Sequence, residues 1–405
     1  MYILRYNIIF GFFSDLIIPS FLSEIKHFDI EKSGFFNKTL IITIMLNIQR
    51  YPKTNNKSLV AWNAADEYLL SYFLKQEYQK PNILLQGDRF GFLACNLHSY
   101  KPASVITYKS QEKAIRQNIT SNNLNLSEST FISPLDNCKS EINIALIKIP
   151  KSLGLFRIYL YQLSRIENKE LVVLAAFMTK HFSKQMLSIA LEFFEEVEQS
   201  LAWKKSRILI LKKPKAFVEN SITSSIKLSE DEEIKQYFGV FAANNIDYAT
   251  QFLLENISIK ESDKRILDLA SGNGIIAYNI YQKYNTNKWQ QPELHLLDDS
   301  FLAVESSKLN LQKENTYFHF DDNMDSFDDE YFDFIITNPP FHFEYEINTE
   351  ISVGFFKQAK RCLKRDGRFV LVFNRHLPYK VLLRRVFKEV RLIKENSKFV
   401  VLECQ

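Results

Sequence analysis

Residues 335–345 read IITNPPFHFEY. An apolar strand here ends in an amide, two prolines, a ring and a histidine. Asn338 offers a side-chain oxygen. Pro339, with its fixed φ and no N–H, holds its own carbonyl out of any sheet. Taken alone, the tripeptide reads equally as a strand terminator; behind an acid-glycine loop, two rigid acceptors side by side suit gripping both N–H groups of an exocyclic amine. The lone pair of such an amine is delocalised into its ring, and a grip of this kind turns it outward as a nucleophile. Phe341 would stack on the base, a contact worth ~1–3 kcal/mol. Pro340 and His342 follow as contacts to the substrate, and His342 is not assigned as a base. Holding donor and acceptor in line makes the transfer effectively intramolecular.

A second constellation lies upstream. DLASGNG (268–274) closes an apolar run, RILDLA. Gly272 and Gly274 let the backbone turn and a ligand approach, with Asn273 between them. Asp268 offers a carboxylate to a cationic amine. The dinucleotide signature GxGxxG is absent, so an acid before this loop favours S-adenosylmethionine over NAD. The next apolar run ends in Asp298 and Asp299, where an acid accepts both ribose hydroxyls. The third ends FHFDDNM, which places Asp322 to meet the adenine amine. Taken singly, each acid also reads as a turn or capping residue; at successive strand ends they make a cofactor site.

The elements that must position these groups are strands at 265–270, 293–300, 332–338, 367–374 and 398–404, with helical stretches such as 301–314 and 352–364 between them. Alternation of this kind implies an α/β fold, a parallel sheet covered on both faces, with ligands at the C-terminal ends of its strands. The earlier half repeats the order. ILLQGDRFGFLACNL (83–97) lies over ILDLASGNGIIAYNI (266–280) without a gap. IALIKIPKSL (144–153), ELVVLAAF (170–177) and LAWKKSRILIL (201–211) take the places of the later strands. The expected architecture is two tandem Rossmann-like domains, the first spanning 45–213 and the second 214–405. The copies differ where the chemistry lies: Asp268 becomes Leu85, Gly272 becomes Arg89, and Asn-Pro-Pro becomes Ile149, Pro150 and Lys151. The first copy is therefore read as degenerate.

Composition limits the alternatives. With 405 residues, 46% hydrophobic and 24% charged, the chain is a globular protein too long for one ordinary core. Cys95, Cys138, Cys362 and Cys404 lie far apart with no CxxC pair, so neither disulfides nor a metal site is expected. Residues 1–44 are apolar but broken by Arg5 and Asp15, short of the ~20 residues a membrane span needs. They read as an extension of uncertain structure, and Met45 as a candidate initiator. Of the net charge of +4, residues 355–405 carry +10, leaving −6 elsewhere. So uneven a distribution points to a polyanionic partner. Arg361, Arg375 and Arg384 in this stretch, with Lys204, Lys205 and Arg207 in the first half, are candidate contacts to such a partner.

At these residues the chain resembles class I methyltransferases acting on amino nitrogens. NPPFH (338–342) looks like the ribosomal RNA guanine-N2 enzymes. AWNAADEYLL (61–70), LIKIPKSL (146–153), LAWKKSR (201–207), AKRCL (359–363), NRHLPY (374–379) and KFVVL (398–402) extend the likeness, from Met45 onward, to the 23S rRNA guanine-N2 methyltransferase G family. That resemblance implies N2 methylation of one guanine in protein-free 23S rRNA by a protein whose degenerate N-terminal domain helps to bind RNA; the scattered cysteines make a reducing, cytoplasmic compartment the expectation, and a monomer is favoured with the oligomeric state left open. It also implies Asn338 with Pro339 as the amine-holding pair, Phe341 as the stacking ring, and Asp268, Gly272, Gly274, Asp298 and Asp322 as cofactor positions. The family has Gly-Cys where this chain has Ala270-Ser271, and an Ala is expected to fit there only at negative φ. Methylation of 16S rRNA guanine, DNA adenine or protein glutamine, and RNA binding without catalysis, remain alternatives.

Overall fold

In the second half, Ile266, Phe334 and Ile336 are buried against one face of a sheet, while Leu267, Leu269 and Ile335 are buried against the other. Period-two burial on both faces is what a strand sandwiched between helix layers requires. The computed structural model describes residues 46–54, 56, 58–240, 245–339 and 349–405, apart from the side chains of 349–351. Residues 48–405 form one unit.

The first half runs α1 (Ala64–Lys75), β1 (Ile83–Gln86), α2 (Phe92–Asn96), β2 (Ala103–Val105), α3 (Lys109–Ser121), β3 (Thr130–Ile132), β4 (Ile144–Lys148), α4 (Leu153–Ser164), β5 (Val172–Met178), α5 (Lys184–Phe193), β6 (Phe194–Gln199) and β7 (Ser206–Pro214). A hairpin follows, β8 (Thr223–Lys227) and β9 (Glu233–Tyr237). The second half runs α6 (Tyr248–Asn256), β10 (Arg265–Leu269), α7 (Ile275–Asn287), β11 (Glu293–Asp298), α8 (Phe301–Asn310), β12 (Thr316–Phe320), β13 (Phe332–Thr337), α9 (Thr349–Cys362), β14 (Leu363–Asn374), α10 (Tyr379–Leu383), β15 (Val390–Glu395) and β16 (Phe399–Cys404). The sheets have the same order, β3-β2-β1-β4-β5-β7-β6 and β12-β11-β10-β13-β14-β16-β15. Each is seven-stranded and doubly wound. The expectation of a wholly parallel sheet is corrected at one edge of each, where β7 and β16 run antiparallel to their neighbours.

The halves meet through equivalent residues. The Lys109 N–H donates to the Asp299 carbonyl at 2.9 Å, and the Phe301 N–H donates to the Thr107 carbonyl at 2.8 Å. Tyr108 and Ser300 form an antiparallel bridge between them. Each contact maps onto the other when β2 is exchanged for β11, so the two copies face each other across a local two-fold, as identical subunits do in an isologous dimer. Leu302 and Ala303 of α8 are buried in the first half's core. Among the described residues no helix is long and apolar enough to cross a membrane.

Candidate active site

β10 and β13 lie side by side, Asp268 opposite Ile336 and Leu269 opposite Thr337. The Thr337 hydroxyl donates to the Leu269 carbonyl at 2.6 Å. This register sets Asn338, one step further on, beside the start of the glycine turn. The amide of Asn338 is held firmly. Its Nδ2 donates to Asp247 Oδ2 at 3.0 Å and to Thr250 Oγ1 at 2.8 Å. A carboxylate can only accept, so this contact fixes which end of the amide is which. The other end, Oδ1, is buried and finds no partner among the described residues. A buried acceptor left unpaired costs ~1–3 kcal/mol, a cost that a ligand's N–H would remove.

Asp247 and Thr250 escaped the sequence reading. Asp247 caps α6, its Oδ2 accepting from the Ala249 and Thr250 N–H groups at 3.1 and 3.2 Å. The motif Asp-x-x-Thr before an apolar run marks a helix start. Nothing in it shows that the cap also reaches a residue 91 positions away.

Asp268 is 1% exposed. Its Oδ2 accepts from the Ala277 N–H at 3.1 Å, while Oδ1 is buried without a partner among the described residues, as is Ser271 Oγ. Burial raises this carboxyl from 3.8 to about 7. The Asp298 carboxylate closes the turn from β11, accepting from the Gly272 N–H at 2.9 Å and the Ser300 N–H at 2.8 Å; burial lifts it to about 6 against these two bonds. Gly272 has φ +57°, and a methyl group there would meet nothing within 4 Å, which leaves an open face over the backbone. At Gly274 a methyl would sit 3.0 Å from Ser307 Oγ, so this residue serves packing.

The side chain of Asn273 is committed elsewhere, to Gln236 Oε1 at 2.7 Å and to the Ile275 N–H at 3.2 Å. Only its backbone can serve a ligand. Ala270 corrects an expectation: its φ is +60°, the left-handed region, where a negative value was expected.

Asp322 lies at the end of β12 with its Oδ1 2.5 Å from Lys113 Nζ, contributed by α3 of the first half; the same amine lies 2.7 Å from Asp321. Burial raises the Asp322 carboxyl despite that cation. Asp299 is drawn away from the pocket: it accepts from the Ser110 N–H at 2.7 Å and from the Ser110 hydroxyl. Pro339 is half-buried after Asn338. Pro340, Phe341 and His342 lie outside the described residues.

The basic candidates are not brought together. Arg375, at the end of β14, shares the C-terminal edge of the sheet with Asn338. Arg361 lies at the opposite edge, its guanidinium spent on the Phe327 carbonyl, the Met324 carbonyl and Asp329. Arg384 is exposed just past α10. Lys204 and Lys205 occupy a tight turn before β7, and Arg207 donates to Gln199 at 3.2 Å.

Two family descriptions cover the chain, the RLMG N-terminal domain over residues 38–216 and the methyltransferase small domain over 231–403. A Shewanella ribosomal RNA large subunit methyltransferase G is 32% identical over 375 residues, 89% of this chain and 97% of the relative. This chain belongs to that family. A second member, from Psychromonas ingrahamii, is 30% identical over 89% of this chain and 96% of its own length. The fold of these methyltransferases is shared by the T. thermophilus 16S rRNA N2 G1207 methyltransferase, solved with AdoMet and guanosine: TM-score 0.67, 19% identity, 85% of this chain and 92% of that one. The expected tandem methyltransferase architecture is therefore the observed one. As a methyltransferase G family member the chain uses S-adenosylmethionine, and the open face over Gly272, with the Asp268 oxygen that has no partner among the described residues, fits that cationic nucleoside.

Proposed function

We propose that this protein transfers a methyl group from S-adenosylmethionine to the exocyclic N2 amine of one guanine in 23S rRNA, with protein-free RNA as substrate, in the cytoplasm. The observation that carries the reading is the orientation of Asn338. Asp247 and Thr250 take both hydrogens of its amide, which leaves Oδ1 at the strand tip as a buried acceptor with no partner among the described residues. An aromatic amine presents two N–H groups, and this oxygen with the Pro339 carbonyl would take one each.

Bound S-adenosylmethionine supplies an electrophilic methyl on a sulfonium. The chain's own residues do the rest. Asp268 holds negative charge close to the cation, Gly272 lets the nucleoside lie on the backbone, and Asp298 brings an acid to the ribose. Asp322 stands where an adenine amine would be met. Asn338 and Pro339 draw the two hydrogens out of the base plane, so that the nitrogen lone pair leaves conjugation and faces the methyl. Once the nitrogen is alkylated it is cationic and acidic, and its proton is lost to water without a strong base. Phe341, two residues past Pro339, is proposed to stack on the guanine. Because a paired guanine hides this amine, the substrate is a loop base or one flipped out of its helix.

The test is to map N2-methylguanine in rRNA from cells lacking the gene. One modification missing from 23S rRNA, with the 16S pattern intact, is expected. A site lost from 16S rRNA, or label from the cofactor entering only DNA or a protein glutamine, would refute the assignment.

A further inference from the structure

Beyond the Asn338 tip the C-terminal edge of the second sheet continues over β14 and β16, and two clefts lie along it. One, of about 400 Å³, is lined by Asn374, Arg375, His376, Ser397 and Lys398. Its neighbour, of about 280 Å³, shares Lys398 and reaches Tyr248 and Phe252 on α6. Tyr248 follows Asp247, the residue that holds the Asn338 amide, and is 75% exposed. This side chain shares its cleft with the exposed Lys398, which in turn lines the neighbouring cleft with the exposed Arg375.

We propose that this strip is a second nucleotide subsite, which holds the single-stranded residue flanking the target guanine. The flanking base stacks on Tyr248, and its phosphate lies between Arg375 and Lys398. The inference rests on the proposed function, because it takes the guanine at Asn338 as the neighbouring residue. Stacking plus a cationic track is how single-stranded nucleic acids are held irrespective of sequence. Two acids border the strip: Glu255 lines the second cleft, and Glu395 lies 4.0 Å from Arg375. With Arg375 and Lys398 they leave no net charge to attract a polyanion from a distance, so the subsite acts by contact, on a strand the rest of the protein has already captured.

The first half keeps one cation of this strip. Met178 pairs with Ser206 there, as Asn374 pairs with Phe399 in the second half, so Lys205 occupies the register position of Lys398. Next to it Lys204 Nζ sits 4.5 Å from the centre of the Trp203 ring, which in turn lies 5.6 Å from Tyr68. The first copy has lost its acid, its turn glycine and its asparagine, yet it keeps cations and rings on this edge.

The experiment uses the full chain and measures binding of guanosine monophosphate and of a single-stranded RNA pentamer with one central guanine, by fluorescence anisotropy. Wild type should bind the pentamer at least tenfold more tightly than the mononucleotide. Tyr248→Ala and the double variant Arg375→Ala/Lys398→Ala should each remove roughly tenfold of that difference, Tyr248→Trp should restore it, and S-adenosylmethionine affinity should stay within twofold. Equal binding of both ligands by wild type, variants with undiminished preference for the pentamer, or equal affinity for a duplex of the same sequence would each overturn the subsite. A wild type that binds the pentamer with this Tyr248 dependence but methylates no rRNA would refute the proposed function and leave the subsite standing.

Discussion

In both halves the cap of the helix before the first strand reaches the residue at the tip of the fourth. In the second half Asp247 and Thr250 hold Asn338. In the first, Asn63 and Asp66 hold Lys148, whose Nζ lies 3.1 Å from Asn63 Oδ1 and 2.5 Å from Asp66 Oδ2. The frame is the same, and the charges have changed places. An amide held by an acid leaves an acceptor unpaired, whereas an ammonium held by an acid offers only donors and cannot grip an amine.

The cofactor end has changed in the same way. Leu85 stands for Asp268, and the carboxylate that meets the following helix comes instead from Asp88, whose Oδ2 accepts from the Ala94 N–H at 2.8 Å. Arg89, in place of Gly272, lies 4.8 Å from the Tyr108 ring centre and donates to Ser110 at 2.6 Å. The first copy has filled the space its sister keeps open. The architecture survived because the capping and packing contacts survived; what the first copy lacks is the acid and the amide whose oxygens stay unpaired among the described residues of its sister.

The sharpest way to break this comparison is Asn338→Ala. Removing one preorganised polar contact to a transition state typically costs about 10²–10³ in kcat. A loss of that size is expected in labelled-methyl transfer to protein-free rRNA, with cofactor affinity unchanged. A variant that keeps more than a tenth of wild-type kcat would show that the unpaired oxygen is not used.

Asp247→Asn comes next. Asparagine caps a helix as well as aspartate does, so α6 should persist. It would no longer dictate which end of the Asn338 amide faces the base. Roughly 10- to 100-fold loss in kcat is expected, of the order caused by a misplaced group, with the melting temperature within a few degrees of wild type.

Asp268→Asn probes the buried acid through pH. Folding raises this carboxyl from 3.8 to about 7, so between those values the folded state holds a proton the unfolded state has released. Stability therefore falls as pH rises from about 4 to 7. A cation beside it reverses the preference, and cofactor affinity should rise roughly tenfold between pH 5.5 and 7.5. The variant should flatten both slopes in calorimetry. Asp88→Asn, which removes the acid burial lifts to about 6 in the first copy, should leave the pH dependence of cofactor binding as it is in wild type.

Lys113→Ala asks whether the inactive half still serves the active one. Its amine joins Asp321 and Asp322 across the interface. Losing charge-assisted bonds of this kind should raise the KM for S-adenosylmethionine about 3- to 10-fold, with a smaller change in kcat. An unchanged KM would confine Lys113 to holding the halves together.

The duplication, the glycine turn and the Asn-Pro tip were legible because each is local: a run, a turn, a strand end. What was missed depends on distance or on direction. β6 and β15 are largely exposed strands with no apolar run to announce them. Charge counting flagged Arg361 and Arg375 alike, yet one lies at the foot of β14 and the other at its head. The expected match of Asn-Pro-Pro with Ile149, Pro150 and Lys151 is out by one. Leu85 pairs with Leu146 as Asp268 pairs with Ile336, so Lys148, Ile149 and Pro150 are the true counterparts.

The smallest effect belongs to Ala270, and it tests whether the active copy carries strain that its sister avoids. Its counterpart Gly87 has φ +76°, and a methyl there would collide with the Lys148 carbonyl. The turn thus demands a left-handed residue in both halves, and only the inactive one supplies glycine. A left-handed alanine costs roughly 1–2 kcal/mol in the folded chain, while glycine costs roughly 0.4–1 kcal/mol through the freer unfolded chain. Ala270→Gly should therefore stabilise the protein by about 0.5–1 kcal/mol and leave methyl transfer nearly unchanged. If the glycine variant is instead less active with its stability raised, the methyl of Ala270 is holding the turn in the shape the cofactor needs, and the strain in this copy is functional.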